Sequence, residues 1–347
     1  MARAAAIALL VGLVAVHPAV AGAGPGRPGH GAASRAVPGA GPADHPGFGC
    51  GPRRFAWPRL CAGDRGWCRG WLGGTGRAVI ARDDSMYVWE DPAQIESGNI
   101  SEDYEPVTLV GFAAARGVDT IMVAVPWALP DGAWVNTRAW LREVVLLAHA
   151  LDIEVLALGG ENSWAAEPAL AVQWMGDATS AGIPFDGVNF DVEPWSLPEW
   201  ETDRETVKAQ LIGMLDEVAA TPARPVVHVD VPYWLADESF PGESSMAAAM
   251  FARADGGTVI TFVDRAFGEG GIVRLSLPAL DAAAEHGLRV PIAVEVSEDI
   301  GPEWSFSDDG TRALRRETFK TRAAFACHPA FAGIAVEKYV AWRHLGP

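Results

Sequence analysis

From about Ala78 to the C-terminus, short apolar runs alternate with longer stretches in which apolar residues recur every three or four positions. The first texture predicts strands, and the second predicts helices packed by one face. The runs are Ala78–Ala81, Val118–Trp127, Ile153–Leu158, Phe185–Glu193, Pro225–Trp234, Thr258–Asp264, Val290–Val296 and Phe331–Tyr339. The clearest helical stretches are Thr137–Leu151, Glu205–Ala220 and Thr311–Ala326. Eight strands separated by helices over roughly 270 residues have the size and rhythm of a (β/α)8 TIM-type barrel, an α/β fold. An open doubly wound sheet is the alternative. It calls for a Gly-rich phosphate loop after its first strand, where this chain has Ala81-Arg82-Asp83-Asp84-Ser85.

The segment ahead of the barrel has a different texture. Met1-Ala2-Arg3 is short and basic, Ala4–Val16 is apolar, and Ala19-Val20-Ala21 offers a small-x-small cleavage pattern. Residues 1–21 therefore read as a signal peptide that exports the chain, since the apolar run is too short to span a bilayer. Residues 22–49 are mostly Gly, Pro and Ala without periodicity, which predicts a disordered linker. A segment over 50–77 carries Cys50, Cys61 and Cys68, and Cys327 lies near the end of the barrel, which spans 78–347. Four cysteines in an exported chain read as disulfides with three pairings open. Cys61–Cys68 with Cys50–Cys327 is the preferred set, and the spacings match no zinc pattern.

Strand alternation places the chemistry. On the fourth strand Val188, Phe190 and Val192 form an apolar face that must meet the helices, so Asn189, Asp191 and Glu193 point into the barrel mouth. Two carboxylates on one face repel each other, so one holds a proton near neutral pH, as a general acid must. By the same alternation His228 and Asp230 face inward on the fifth strand, Glu295 on the seventh and Glu337 on the eighth. Asp264 closes the sixth strand, and Glu161 follows the third after Gly159-Gly160. Reacting groups in such barrels sit at the C-terminal strand ends.

The segment Asp186-Gly187-Val188-Asn189-Phe190-Asp191-Val192-Glu193 resembles the D-G-x-D-x-D-x-E signature of family 18 glycoside hydrolases, with Asn189 in place of one Asp. The resemblance implies Glu193 as the acid that protonates the glycosidic oxygen. It implies Asp191 as its helper, which orients the N-acetyl group of the substrate. Thr258–Gly268 is similar to the sixth-strand stretch that ends Tyr-Asp in that family; Asp264 matches, while Val263 stands at the Tyr position. Glu193-Pro194 together with Glu295 also resembles the clan A retaining glycosidases, which implies Glu295 as a nucleophile. There Val192 stands where that clan has Asn.

Composition changes this picture in two ways. The 347 residues carry a formal net charge of −17, which disfavours nucleic acid and anionic membrane surfaces as partners. The 14 Trp outnumber the 13 Phe and 4 Tyr. Trp127, Trp164, Trp195, Trp234, Trp304 and Trp342 follow strands, where flat aromatics beside acids would stack on sugar rings. Trp140 and Trp174 fall inside helical stretches and read as packing. The expectation is a secreted glycoside hydrolase acting on a polysaccharide or cell-wall glycan, without a cofactor or metal. Its catalytic residues are Glu193, Asp191 and Glu295. Its substrate ligands are Trp127, Glu161, Trp164, Asn189, Trp195, His228, Asp230, Trp234, Asp264 and Glu337. The alternatives are a non-catalytic carbohydrate-binding barrel, with Glu193 paired to a cation such as Arg265, and a metal-dependent hydrolase, which would need several inward His where only His228 is present.

Overall fold

The computed structural model describes residues 83–347. The expected signal peptide, linker and strand at Ala78–Ala81, and three of the four cysteines, fall within residues 1–82 and lie outside the described residues.

Eight parallel strands close a barrel in chain order. They are β1 (Ser85–Val88), β2 (Thr120–Ala124), β3 (Glu154–Gly159), β4 (Gly187–Phe190), β5 (Val226–Pro232), β6 (Gly256–Ile260), β7 (Val290–Glu295) and β8 (Phe331–Glu337). The first strand is thus Ser85–Val88, later than Ala78–Ala81. Its neighbours β2 and β8 pair with it at Ser85↔Thr120 and Ser85↔Ala335.

The helices between strands are α1 (Pro92–Ser97), α2 (Pro106–Arg116), α3 (Val135–His149), α4 (Pro168–Ser180), α5 (Glu199–Thr202), α6 (Arg204–Ala220), α7 (Met246–Phe251), α8 (Ile272–Glu285), α9 (Gly310–Phe325) and α10 (Tyr339–His344). Among the described residues no helix is long and apolar enough to cross a membrane.

Alternation along the strands builds two cores. The outward set, including Val88, Ile121, Val155, Val188, Val229, Val259, Val294 and Val336, joins the buried helix faces in one large cluster. Tyr87, Met122, Leu156, Leu158, Ala293 and Ala335 fill the barrel interior. β-branched side chains suit the outer layer because they pack well on a pleated surface. The interior instead narrows to a few apolar residues, and the remaining inward positions on β4, β5, β7 and β8 are left to polar side chains.

Glycine fits the third strand against the fourth. A Cβ on Gly160 would lie 1.9 Å from the carbonyl oxygen of Asp191, so only glycine lets the end of β3 approach the segment carrying the acids. That approach is fixed by the Asp191 N–H, which donates to the Gly159 carbonyl at 3.0 Å. Asp186, the first residue of the fourth-strand motif, has a structural task. Its carboxylate accepts from the Val155 N–H at 2.7 Å and pairs with His149 at 2.9 Å, locking the entry of β4 to β3.

Candidate active site

The inward polar positions converge on Asp230, which is 2% exposed. Tyr87 donates its hydroxyl to Asp230 Oδ1 at 2.8 Å, and Asn189 donates its amide to Oδ2 at 2.8 Å. Thr258 on β6 adds a further side-chain hydrogen bond. These bonds favour the carboxylate form, yet burial and the charge of Asp191 outweigh them and push Asp230 well above the usual carboxyl range.

Around Asp230 stand Asp191, Glu193, Glu295 and Glu337. Burial raises Asp191 to about 6. Glu193 goes well above its ordinary value, through burial first and then the charges of Asp191 and Asp230. Glu337 is raised well above the usual range by burial and by Glu295, Asp191, Asp230 and Glu193. Glu295 is lifted to about 7, because burial exceeds the support of the two backbone N–H groups it holds. Those are Val296 and Ser297, which both donate to Oε1, at 2.6 and 2.7 Å, and the Ser297 side chain adds a further hydrogen bond to the carboxyl. None of the five carboxyls forms an ion pair among the described residues. Lys338, the one cation felt at Glu295, is paired with Asp299.

The turn that carries Glu193 is clamped from the β3 side. The Glu193 N–H donates to Asn162 Oδ1 at 3.2 Å, the Asn162 amide donates to Ser196 Oγ at 2.6 Å, and Ser196 Oγ donates to the Glu193 carbonyl at 2.8 Å. Asn162 is therefore a positioning residue, whereas its exposed neighbour Glu161 does not join the cluster. Tyr87, Trp89, Thr258 and Asn162 escaped sequence reasoning. Tyr87 and Trp89 alternate with Met86 and Val88, so the signal was there once the first strand begins at Ser85. Trp89 packs on the interior cluster, and its indole N–H is buried without a partner among the described residues.

Three of the polar residues expected at the site do not join the carboxyl cluster. His228 faces inward as expected but lies one layer deeper than Asp230. It lines a cavity of about 290 Å³ at the N-terminal ends of the strands together with Ser85, Thr120, Glu154, Gly257 and Arg289. That is the opposite end of the barrel from the carboxyl cluster, and reacting groups belong at the C-terminal face. Asp264 follows β6, and the charges that act on it are Asp309, Arg265 and Asp308 rather than the five carboxyls. Glu161 is the third.

The tryptophans divide. Trp164 is 3% exposed and stacks on Trp127, Trp174 and Phe190, an outward residue, so it is outer core rather than a sugar platform. Trp127 packs against that same core, and its carbonyl accepts from the Trp134 indole at 3.0 Å. Trp342 meets Phe112 and Arg116 of α2, again in the helix layer. Trp195 and Trp234 are half-buried and pack edge to face at 5.5 Å beside the Glu193 turn, backed by buried Trp200. Trp304 is 43% exposed in the loop after β7. Trp140 and Trp174 are core, as expected.

No protein-family model and no curated protein matches the chain. Solved structures do. A chitinase from Bacteroides thetaiotaomicron is similar at 11% identity over 75% of this chain and 90% of its own, with a TM-score of 0.49. A chitinase from Chromobacterium violaceum gives 12% identity, 76% and 98% coverage and a TM-score of 0.44. The family 18 chitinase of Cycas revoluta, solved with (GlcNAc)3, gives 12%, 74% and 95%, and 0.45. The likeness is one of fold, an eight-stranded parallel barrel.

Two further observations bear on the chemistry. Val263, at the end of the sixth-strand stretch, is 4% exposed in the outer core and supplies no hydroxyl, while Phe262 packs on the interior cluster. Among the described residues no group of three or more His, Cys, Asp or Glu side chains is arranged to hold a metal ion.

Proposed function

We propose that the chain is a glycoside hydrolase of a polysaccharide or cell-wall glycan, exported by its N-terminal segment, with Glu193 as the general acid. The observation that carries this reading is the electrostatic setting of Glu193. Its charged neighbours are Asp191 and Asp230, and no cation pairs with it among the described residues, so it holds its proton well above the ordinary carboxyl range. A purely structural acid at a barrel mouth would be paired, and the non-catalytic alternative calls for such a pair with Arg265. Arg265 instead acts on Asp264.

The chemistry then follows from the order of ionisation. Asp191 and Glu295 give up their protons near neutral pH, while Glu193 retains its own. Environments that push neighbouring carboxyls apart in this way separate acid from base. Glu193 protonates the glycosidic oxygen as the bond to the anomeric carbon breaks, and anionic Asp191 stabilises the positive charge growing on the sugar. The Glu295 carboxylate attacks the anomeric carbon. Water, deprotonated by the now anionic Glu193, then releases the sugar with retained configuration. The absence of a hydroxyl at Val263 favours this two-carboxylate course over nucleophilic help from a substrate acetamide. Trp195 and Trp234 offer faces for neighbouring sugar rings.

The test is a panel of polysaccharides and oligosaccharides assayed for new reducing ends with the wild-type protein and with Glu193→Gln. Turnover by the wild type and its loss in the variant support the reading. Turnover that survives Glu193→Gln on every accepted glycan rejects the assignment.

A further inference from the structure

Three carboxyls, Glu193, Asp191 and Asp230, have tasks or partners in this reading, and Glu295 is held by two amides. Glu337 has neither. It is 7% exposed and faces into the barrel from the end of β8; its backbone carbonyl accepts from the Val296 N–H at 2.7 Å, but its carboxyl takes part in no hydrogen bond or ion pair among the described residues. It stands level with Glu295, since the two are register partners across β7 and β8. Lys338, next in sequence, is committed to Asp299. A buried carboxyl without a partner is costly, and evolution would be expected to replace it by an amide or an apolar residue if nothing met it there.

Burial and its acidic neighbours hold Glu337 in its protonated form in the free protein, and a cation arriving with the substrate is the partner that draws it into the carboxylate form. We propose that Glu337 binds a protonated amino group on the sugar whose anomeric carbon is attacked, so that the preferred substrate is a glycan containing de-N-acetylated hexosamine. This inference rests on the glycosidase reading and narrows it. The amino group of a 2-amino sugar sits on the carbon next to the anomeric centre, which Glu295 attacks. Glu337, beside Glu295 at the same level, is therefore placed to read that substituent. An ammonium there relieves the repulsion that Glu337 feels from Glu295, Asp191, Asp230 and Glu193 together. An acetamido or hydroxyl group would leave the carboxyl unpaired, and a uronic acid or sulfate would add a further negative charge to the site.

The experiment compares kcat/KM across paired glycans of equal length and linkage that differ in bearing a free amine, an acetamide, a hydroxyl or a uronic acid. The wild type and Glu337→Gln are run side by side, with circular dichroism as a check on folding. The expected result is that the free-amine member of its pair is cleaved at least about tenfold faster by the wild type, the scale of one desolvated charge pairing. In Glu337→Gln that ratio falls by about tenfold or more. An acetylated, neutral or acidic member cleaved as fast or faster by the wild type overturns the inference, whatever the variant does, and leaves the glycosidase reading standing. So does a preference for the amine that Glu337→Gln leaves intact. Failure of the wild type to cleave any member of a broad panel removes the glycosidase reading and this inference with it.

Discussion

Replacing Glu295 by Gln makes the folded protein more stable at alkaline pH. Gln keeps the acceptor oxygen that takes the Val296 and Ser297 N–H groups, so the substitution removes little beyond the titrating proton. In the folded chain burial holds the Glu295 carboxyl at about 7, against an ordinary value of 4.5. A group whose value is raised by folding stabilises the fold fully while both states are protonated. That contribution disappears as pH climbs from the unfolded value through the folded one, because the unfolded chain ionises freely and the folded chain does not. With about 1.4 kcal/mol per tenfold change, wild type loses about 1 kcal/mol by pH 5 and about 3 kcal/mol by pH 8. Glu295→Gln loses none of this. Guanidinium denaturation at pH 4, 6 and 8 reads the difference as a shift in midpoint at constant slope. The stability gap in favour of the variant should widen with pH to about 3 kcal/mol, or roughly 5–10 °C in Tm for a domain of this size. A gap that is the same at all three values, or a variant that is less stable at pH 8, refutes the placement of Glu295 as an acid whose burial outweighs its partners.

Other consequences follow from the same geometry. The pH profile of kcat/KM falls on its acid side as Glu295 takes up its proton near 7 and steepens as Asp191 takes up its own near 6; Asp191→Asn removes the steeper part along with most of the rate, and leaves the limb near 7. Tyr87→Phe removes one of the hydrogen bonds that hold Asp230, and should destabilise the barrel by about 1–3 kcal/mol in denaturant titration while lowering kcat more than it changes KM. Gly160→Ala brings a methyl group 1.9 Å from the Asp191 carbonyl oxygen, so β3 must move off the acid-bearing segment. Its cost should exceed about 2 kcal/mol, with activity lost in whatever fraction folds.

Much of this site is written in the alternation of strand residues. Val188-Asn189-Phe190-Asp191-Val192-Glu193 separates inward from outward without ambiguity, and the same holds for Asp230, Glu295 and Glu337. Period-two reasoning gives the face of a residue and not its depth. His228 shares the face of Asp230, but two residues along a strand are about 7 Å, enough to move it from the mouth to the floor. The sixth strand shows where alternation ends. β6 stops at Ile260, and the Val263 N–H turns back to the Thr261 carbonyl at 3.0 Å, so Asp264 no longer follows the strand pattern. The first strand was hidden because Ser85–Val88 carries Tyr87 inward and is preceded by Asp83 and Asp84, which makes Ala78–Ala81 look the more strand-like. The aromatic residues after strands were harder still. Whether Trp164 or Trp342 meets sugar or a helix depends on where α2 and α4 lie, which no local pattern states. Asn162 clamps Glu193 from another loop and has no signature along the chain.

The central claim is that Glu193 donates a proton to the departing oxygen. Its most direct test is the dependence of Glu193→Gln on leaving group, measured as kcat/KM on a natural oligosaccharide and on an aryl glycoside of the same sugar with a strongly acidic phenol. An acidic phenol leaves without protonation, so the variant should fall by about 100-fold or more on the oligosaccharide and by far less on the aryl glycoside. Equal losses on both substrates, or no loss on the oligosaccharide, would contradict the role of Glu193 as the acid.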